Sequence, residues 1–333
     1  MIDFRYHLVS IIAVFLALAV GLVVGSTALS GKAVEALTAA QRAAIARNAA
    51  LTKDKSALLQ QVAGDQAFAQ ASATRLLAGL LTGERVVVIQ APGADGAVTS
   101  GVTTALRQAG ATVTGQVSLT TAFTTTSGQT EANLTTLAQH LATQASLALN
   151  TQADSDVSGQ QAAAQVLAAS LLSGATITSS SVSQAILTGL SQNGFISVDS
   201  GTPASDPADL AILVTPGGPP PPTATAQVLV AVARELKSAG SGTVMAGAVS
   251  SIGAGSVISA ENSAPNPVST VDNADTEIGQ IMVVQALRLL LDGKPPSAFG
   301  AVSGVAPSPA PTPAATPRPT TGPTTAGTAK VHA

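Results

Sequence analysis

The densest group of side chains able to do chemistry lies at residues 272–277, where Asp272, Asn273, Asp275, Thr276 and Glu277 precede a long apolar stretch. Carboxylates so closely spaced can gather a hard cation such as Ca²⁺ or Mg²⁺, which takes oxygen ligands. Asp272, Asp275 and Glu277 are the metal candidates the sequence offers. Their spacing departs from an EF-hand loop, and helix capping accounts for the same residues without an ion. Asp275 or Thr276 would accept first-turn N–H groups, while the carboxylates would meet the positive end of the helix dipole.

Two loops and one histidine complete the inventory. Ala91-Pro92-Gly93-Ala94-Asp95-Gly96 stands between a β-like run and a helical stretch, where a dinucleotide-binding fold holds phosphate. It lacks the G-x-G-x-x-G spacing and reads as a tight βα turn. Thr215-Pro216-Gly217-Gly218 runs into Pro219, Pro220, Pro221 and Pro222, a stiff segment in which each proline removes a donor. It suits a connector or a docking surface. His140 sits on a Thr/Ala/Gln-rich stretch, with His7 and His332 far away in sequence, so a Ser-His-Asp arrangement would rest on His140 alone. No catalytic residue or cofactor site follows, and the chain reads as non-enzymatic.

Composition points the same way. Hydrophobic residues make up 46%, aromatics 2% and charged residues 10%, so the core must be built from Ala, Val, Leu and Ile, with few rings to stack on a ligand. A net charge of -3 gives no basic field to collect phosphates, which excludes nucleic acid as a natural partner. With no cysteine there is no disulfide, no thiolate metal site and no cysteine nucleophile.

The elements that would position these residues follow from the hydropathy pattern. Residues 8–31 carry no charge and are dominated by Leu, Val, Ile, Ala and Phe. About 20 helical residues cross a bilayer, whereas the apolar core of a signal peptide needs only about 7–15. A retained transmembrane anchor is expected in residues 1–31, with cleavage after Ser26-Thr27-Ala28 as the alternative. Arg5 precedes the span and Lys32, Arg42 and Arg47 follow it. Large downstream domains translocate regardless of such counts, so a short cytoplasmic tail and an exported body are expected.

Residues 32–82 hold no proline and one internal glycine, Gly64, before the Gly83 break and should form a helical stalk. Leu37, Ala44, Leu51 and Leu58 recur every seven residues, beside a second seam of Val34, Gln41, Asn48, Lys55 and Val62. Those seams fit either a coiled-coil homodimer or a solitary amphipathic helix.

Residues 83–300 then read as an α/β domain. A β-branched run at 85–90, a helix near 97–109 and a strand at 111–117 make a βαβ unit. The grammar returns with a strand at 210–214, a helix over 225–239 and a strand at 243–249. Helices over 131–148, 160–172 and 181–192, a strand at 195–198 and a last helix at 275–291 fill the remainder. The predicted fold is a Rossmann-like, doubly wound, mostly parallel sheet. Residues 301–333, rich in Pro, Thr and Ala, should be disordered.

Two stretches, MIDFRYHLVSIIAVFLALAVGLVVGS at 1–26 and STVDNADTEIGQIMVVQALRLLLDGK at 269–294, resemble the actinobacterial family named for the mycobacterial copper-transport outer-membrane protein. The resemblance covers about residues 1–300. It implies a cell-envelope protein tied to copper transport and homeostasis, set in the plasma membrane or, by the family's name, the outer membrane. Related proteins are also tied to septal wall remodelling, which makes a scaffold or regulator there the alternative role. An exported enzyme using the βα loops is a third. Copper favours thiolate, thioether and imidazole ligands, yet Cys is absent and the His and Met residues are scattered, so a copper role would be indirect. One apolar helix makes no pore, and no series of alternating ten-residue strands suggests a barrel. The expected partners are the bilayer through residues 8–31, another envelope protein, and a second copy through the stalk.

Overall fold

The computed structural model describes residues 4–150, 157–174, 179–199 and 206–300. The chain forms two compact units that meet in sequence between Asp65 and Gln66. One helix, α1 (Phe4–Leu77), contributes to both. It contains no proline and is rich in Ala and Leu, so nothing in its backbone chemistry interrupts the i→i+4 ladder. In the first unit the described side chains of α1 are exposed throughout.

The second unit is an α/β fold. After the last turns of α1 come β1 (Arg85–Gln90), α2 (Gly96–Gln108), β2 (Thr112–Leu119), α3 (Gly128–Gln144), α4 (Ser158–Leu171) and α5 (Ser180–Gln192). Then follow β3 (Ile196–Val198), β4 (Leu210–Val214), α6 (Thr223–Ala239), β5 (Gly242–Ala246), α7 (Val257–Asn262), β6 (Ser269–Val271), α8 (Glu277–Leu291) and β7 (Ala298–Phe299). The strands make one seven-stranded sheet ordered β3-β2-β1-β4-β5-β6-β7. Every neighbouring pair is parallel except β2 and β3. The expected mostly parallel α/β sheet is therefore present. It is open, so the strands described here are not a transmembrane barrel, whose strands are antiparallel and closed.

Both faces of the sheet are covered, which is why β4 and β5 are buried at every residue and read as unbroken apolar runs. Side chains alternate across a strand. Val87 and Ile89 of β1 face one layer, with Phe123, Leu134, Leu167, Leu190 and Leu229 from the α3–α6 side. Val86 and Val88 face the other, with Leu77, Leu106, Val283 and Leu287. Small side chains let helices approach closely. A Cβ on Gly159 of α4 would collide with the Thr135 hydroxyl of α3.

The β5 strand, expected to reach residue 249, stops at Ala246. Beyond it Gly247 N–H donates to Val271 O, and the chain enters a 3-10 turn at Val249–Ser251. The proposed disordered tail at 301–333 lies outside the described residues.

Candidate membrane anchor and loop edge

Tyr6–Ser26 is 21 residues long, has a mean hydropathy of 2.9 and buries none of its side chains. At 1.5 Å per residue it is about 30 Å long, the thickness of a hydrocarbon core. The Ser26 hydroxyl at its far end donates to Val23 O at 3.1 Å, turning a polar group back onto the helix backbone. Length and composition both suit a membrane span.

In open α/β sheets, ligands bind outside the carboxyl ends of the strands, where successive connections diverge. Here that point lies between β1 and β4: α2 packs in the layer of Val86 and Val88, and α6 in the layer of Val87 and Ile89. The two loops there bond to each other rather than open a crevice. Ala91 N–H donates to Val214 O at 2.9 Å and Gly217 N–H to Gly93 O at 3.1 Å, with Ala94 and Pro216 forming a bridge. The N-terminus of α2 is already filled, because Asp95 Oδ1 accepts from Ala97 N–H at 2.8 Å. A fixed carboxylate in that position also repels phosphate. Of the prolines that follow, Pro219, Pro220 and Pro222 are exposed.

The β6–α8 turn shows where each acidic candidate goes. Asp272 is 2% exposed, its N–H donates to Phe299 O at 3.2 Å, and a Cβ on Gly300 would strike its carboxylate. Asp275 Oδ1 accepts from Val249 N–H at 2.9 Å. Thr276 is the N-cap of α8: its hydroxyl accepts from Gly279 N–H at 3.0 Å and donates to Asn273 O at 2.8 Å. Glu277 opens the helix, and its N–H donates to Gln66 Oε1 at 2.9 Å. The three residues thus face different partners, and the Asp275 carboxylate bonds a backbone N–H across the turn. No three of His, Cys, Asp and Glu come together to hold a metal among the described residues.

Two ionisable sites were not singled out from the sequence. At the amino ends of β1 and β4, Arg85 donates to both oxygens of Asp209, at 3.0 and 2.9 Å, and Ser173 Oγ donates to Asp209 Oδ1 at 2.7 Å. These bonds hold the Asp209 carboxyl below its usual range. Glu261 of α7 is fully buried, and its Oε1 accepts from Val268 N–H at 2.7 Å while Oε2 has no partner. Burial pushes its pKa up, against the pull of that N–H, Arg234 and Lys237. The first joins the entries of β1 and β4, and the second ties α7 to the segment that enters β6. A cleft of about 430 Å³ beside α4 and α6 is lined by groups already paired, Gln161 donating to Glu235 at 2.9 Å and Gln165 clasping the Asn150 backbone.

A family model described as copper transport outer membrane protein, MctB, matches residues 1–309. The chain belongs to the MctB family. It is 31% identical over 313 residues to the copper transporter MctB of Mycobacterium tuberculosis, and equally to that of Mycobacterium bovis, covering 91% of this chain and 98% of each relative. The Mycobacterium leprae protein of the same name is 31% identical over 315 residues. Within this MctB-family chain the described methionines and histidines lie apart. Met245 and Met282 are buried on opposite faces of the sheet. His7 and His140 are exposed, and Gln144 Nε2 donates to His140 Nε2 at 3.0 Å.

Proposed function

We propose that this MctB-family chain is a non-enzymatic envelope component of copper transport. Tyr6–Ser26 holds it in the plasma membrane as a single span, the second unit is exported, and it acts by docking another envelope protein rather than by ligating copper itself. The sheet order, with connections diverging between β1 and β4, supports a Rossmann-like, doubly wound reading of that unit. The observation that carries the proposal is the donor placement inside a copper-transport family: no Cys, two methionines separated by the sheet, and exposed histidines without a metal-forming neighbour among the described residues. Paired loops where an active crevice would lie support the absence of catalysis. The exposed prolines before α6 offer a rigid surface of the kind proline-recognising partners read.

The test is growth of a deletion strain on rising copper, complemented in turn by the wild-type chain, by a donor-free His7→Ala/His140→Ala/Met245→Leu/Met282→Leu/His332→Ala variant, and by a chain whose first 26 residues are replaced with a cleavable leader. Wild type and the donor-free variant should restore growth, and the unanchored chain should not. Failure of a folded donor-free variant would establish direct copper ligation. Chained or misshapen cells without copper sensitivity would overturn the copper role.

A further inference from the structure

Within the first unit, α1 carries an exposed apolar face. Val34, Leu37, Ile45, Leu51, Leu58, Leu59 and Val62 are each between 52% and 69% exposed. At 3.6 residues per turn they fall within an arc of about 140°. So many large aliphatic side chains on one stripe mark a surface made for a partner.

We infer that residues 34–62 pair with a second copy of this chain as a parallel, in-register, two-stranded coiled coil. This rests on the anchored reading above, since two copies in one membrane have their spans at the same end of the stalk. The heptad chemistry is specific. Leu37, Leu51 and Leu58 occupy d, with Val34 and Val62 at the outer a positions, and β-branched a with Leu d favours two strands. The inner a positions are Gln41, Asn48 and Lys55. A buried Asn satisfies its amide only opposite another Asn, so Asn48 fixes the register. Lys55 can cover the seam with its stem while its ammonium reaches the second copy's Asp54, the g residue immediately before it, which is adjacent only in the parallel arrangement. Complementary charge thus sits where the apolar seam is interrupted.

The absence of cysteine makes a clean experiment available. Single Asn48→Cys, Leu51→Cys and Leu58→Cys variants of the full chain, in native membranes under mild oxidant, should give disulfide-linked dimers. Ala46→Cys, Lys53→Cys and Gln60→Cys, on the opposite face, should give several-fold less, because a disulfide needs Cα atoms within about 7 Å. In the Leu51→Cys background, Lys55→Asp should lower the linked fraction several-fold, and adding Asp54→Lys should restore it. Equal linkage on both faces, linkage to a different protein, or no linkage at any seam position overturns the pairing. Alkaline extraction of the same membranes reads anchoring separately, so failure of the pair and failure of the anchor are told apart.

Discussion

Replacing Gly279 with Ala sets two known effects against each other at the turn that carries the acidic candidates. Gly279 is the third residue of α8, and Ala is favoured over Gly inside a helix by about 1 kcal/mol. On that ground alone the variant should gain stability. The structure opposes it, because a Cβ there would overlap the carbonyl of Asn273 and lie 2.8 Å from Ala274 N. Both neighbours are backbone and both are held: Ala274 N–H donates to Gly247 O at 2.8 Å, and Asn273 O accepts from Thr276 N–H at 3.0 Å. Forcing such a contact costs about 1–3 kcal/mol, and shifting the turn also endangers the Thr276 cap, about 1 kcal/mol more. The net expectation is a loss of about 2 kcal/mol, which for a unit of this size lowers the melting midpoint by about 4–8 °C. Circular dichroism melts of the detergent-solubilised chain would measure it. Gly101→Ala is the internal comparison, since the atoms nearest its Cβ would be those of the Gln280 side-chain amide, which can swing aside. A Gly279→Ala variant that melts with the wild type or above it refutes the claim that the turn is rigid.

Asp209→Asn should cost about 1 kcal/mol at neutral pH, because a bidentate partner of a half-exposed Arg85 is lost. The Asp209 pKa is depressed in the fold, so its contribution is present above the unfolded pKa and lost as pH falls through the folded one; urea midpoints of the variant should therefore fall less steeply than wild type below about pH 4. Glu261 has the opposite sign: its pKa is raised, so its favourable contribution is present below the unfolded pKa and lost as pH rises through the folded one. Glu261→Gln keeps an acceptor for Val268 N–H and should gain on wild type as pH rises above about 4 in the same urea series; a difference that does not change with pH would show that burial does not control this carboxyl. Asp95→Ala should cost about 1 kcal/mol through loss of the α2 cap, read as a lower melting midpoint.

The βα units were legible because each pairs a β-branched run with a glycine-marked turn and a helix of the right period. The strands that were not foreseen are those whose identity lies in pairing rather than composition. Ser269-Thr270-Val271 is buried at every residue yet two-thirds hydroxyl-bearing, so no hydropathy pattern marks it, and only its register with β5, Val244 opposite Ser269, makes it a strand. β7 is two residues long and exists through its pairing with β6. The direction of β3 was equally hidden, since a run of side chains reads the same in either sense and only its pairing, Val117 opposite Val198, makes it antiparallel.

The same distinction separates the residues able to do chemistry from the chemistry they do. The sequence placed Asp272, Asp275 and Glu277 together, but their roles are assigned by residues remote in the chain: Val249 for Asp275, Gly300 and Phe299 for Asp272, Gln66 for the Glu277 backbone. Arg85 and Asp209 went unnoticed for the converse reason, being 124 residues apart. Yet Arg85 opens β1 and Asp209 immediately precedes β4, and the β1/β4 register sets Val86 opposite Leu210. Once two βα units are read as neighbours in a parallel sheet, the residues that open their strands become a pair to test for charge complementarity. Here that reasoning identifies a bidentate ion pair between the two halves of the sheet, at its amino edge and away from the loops where a ligand would bind.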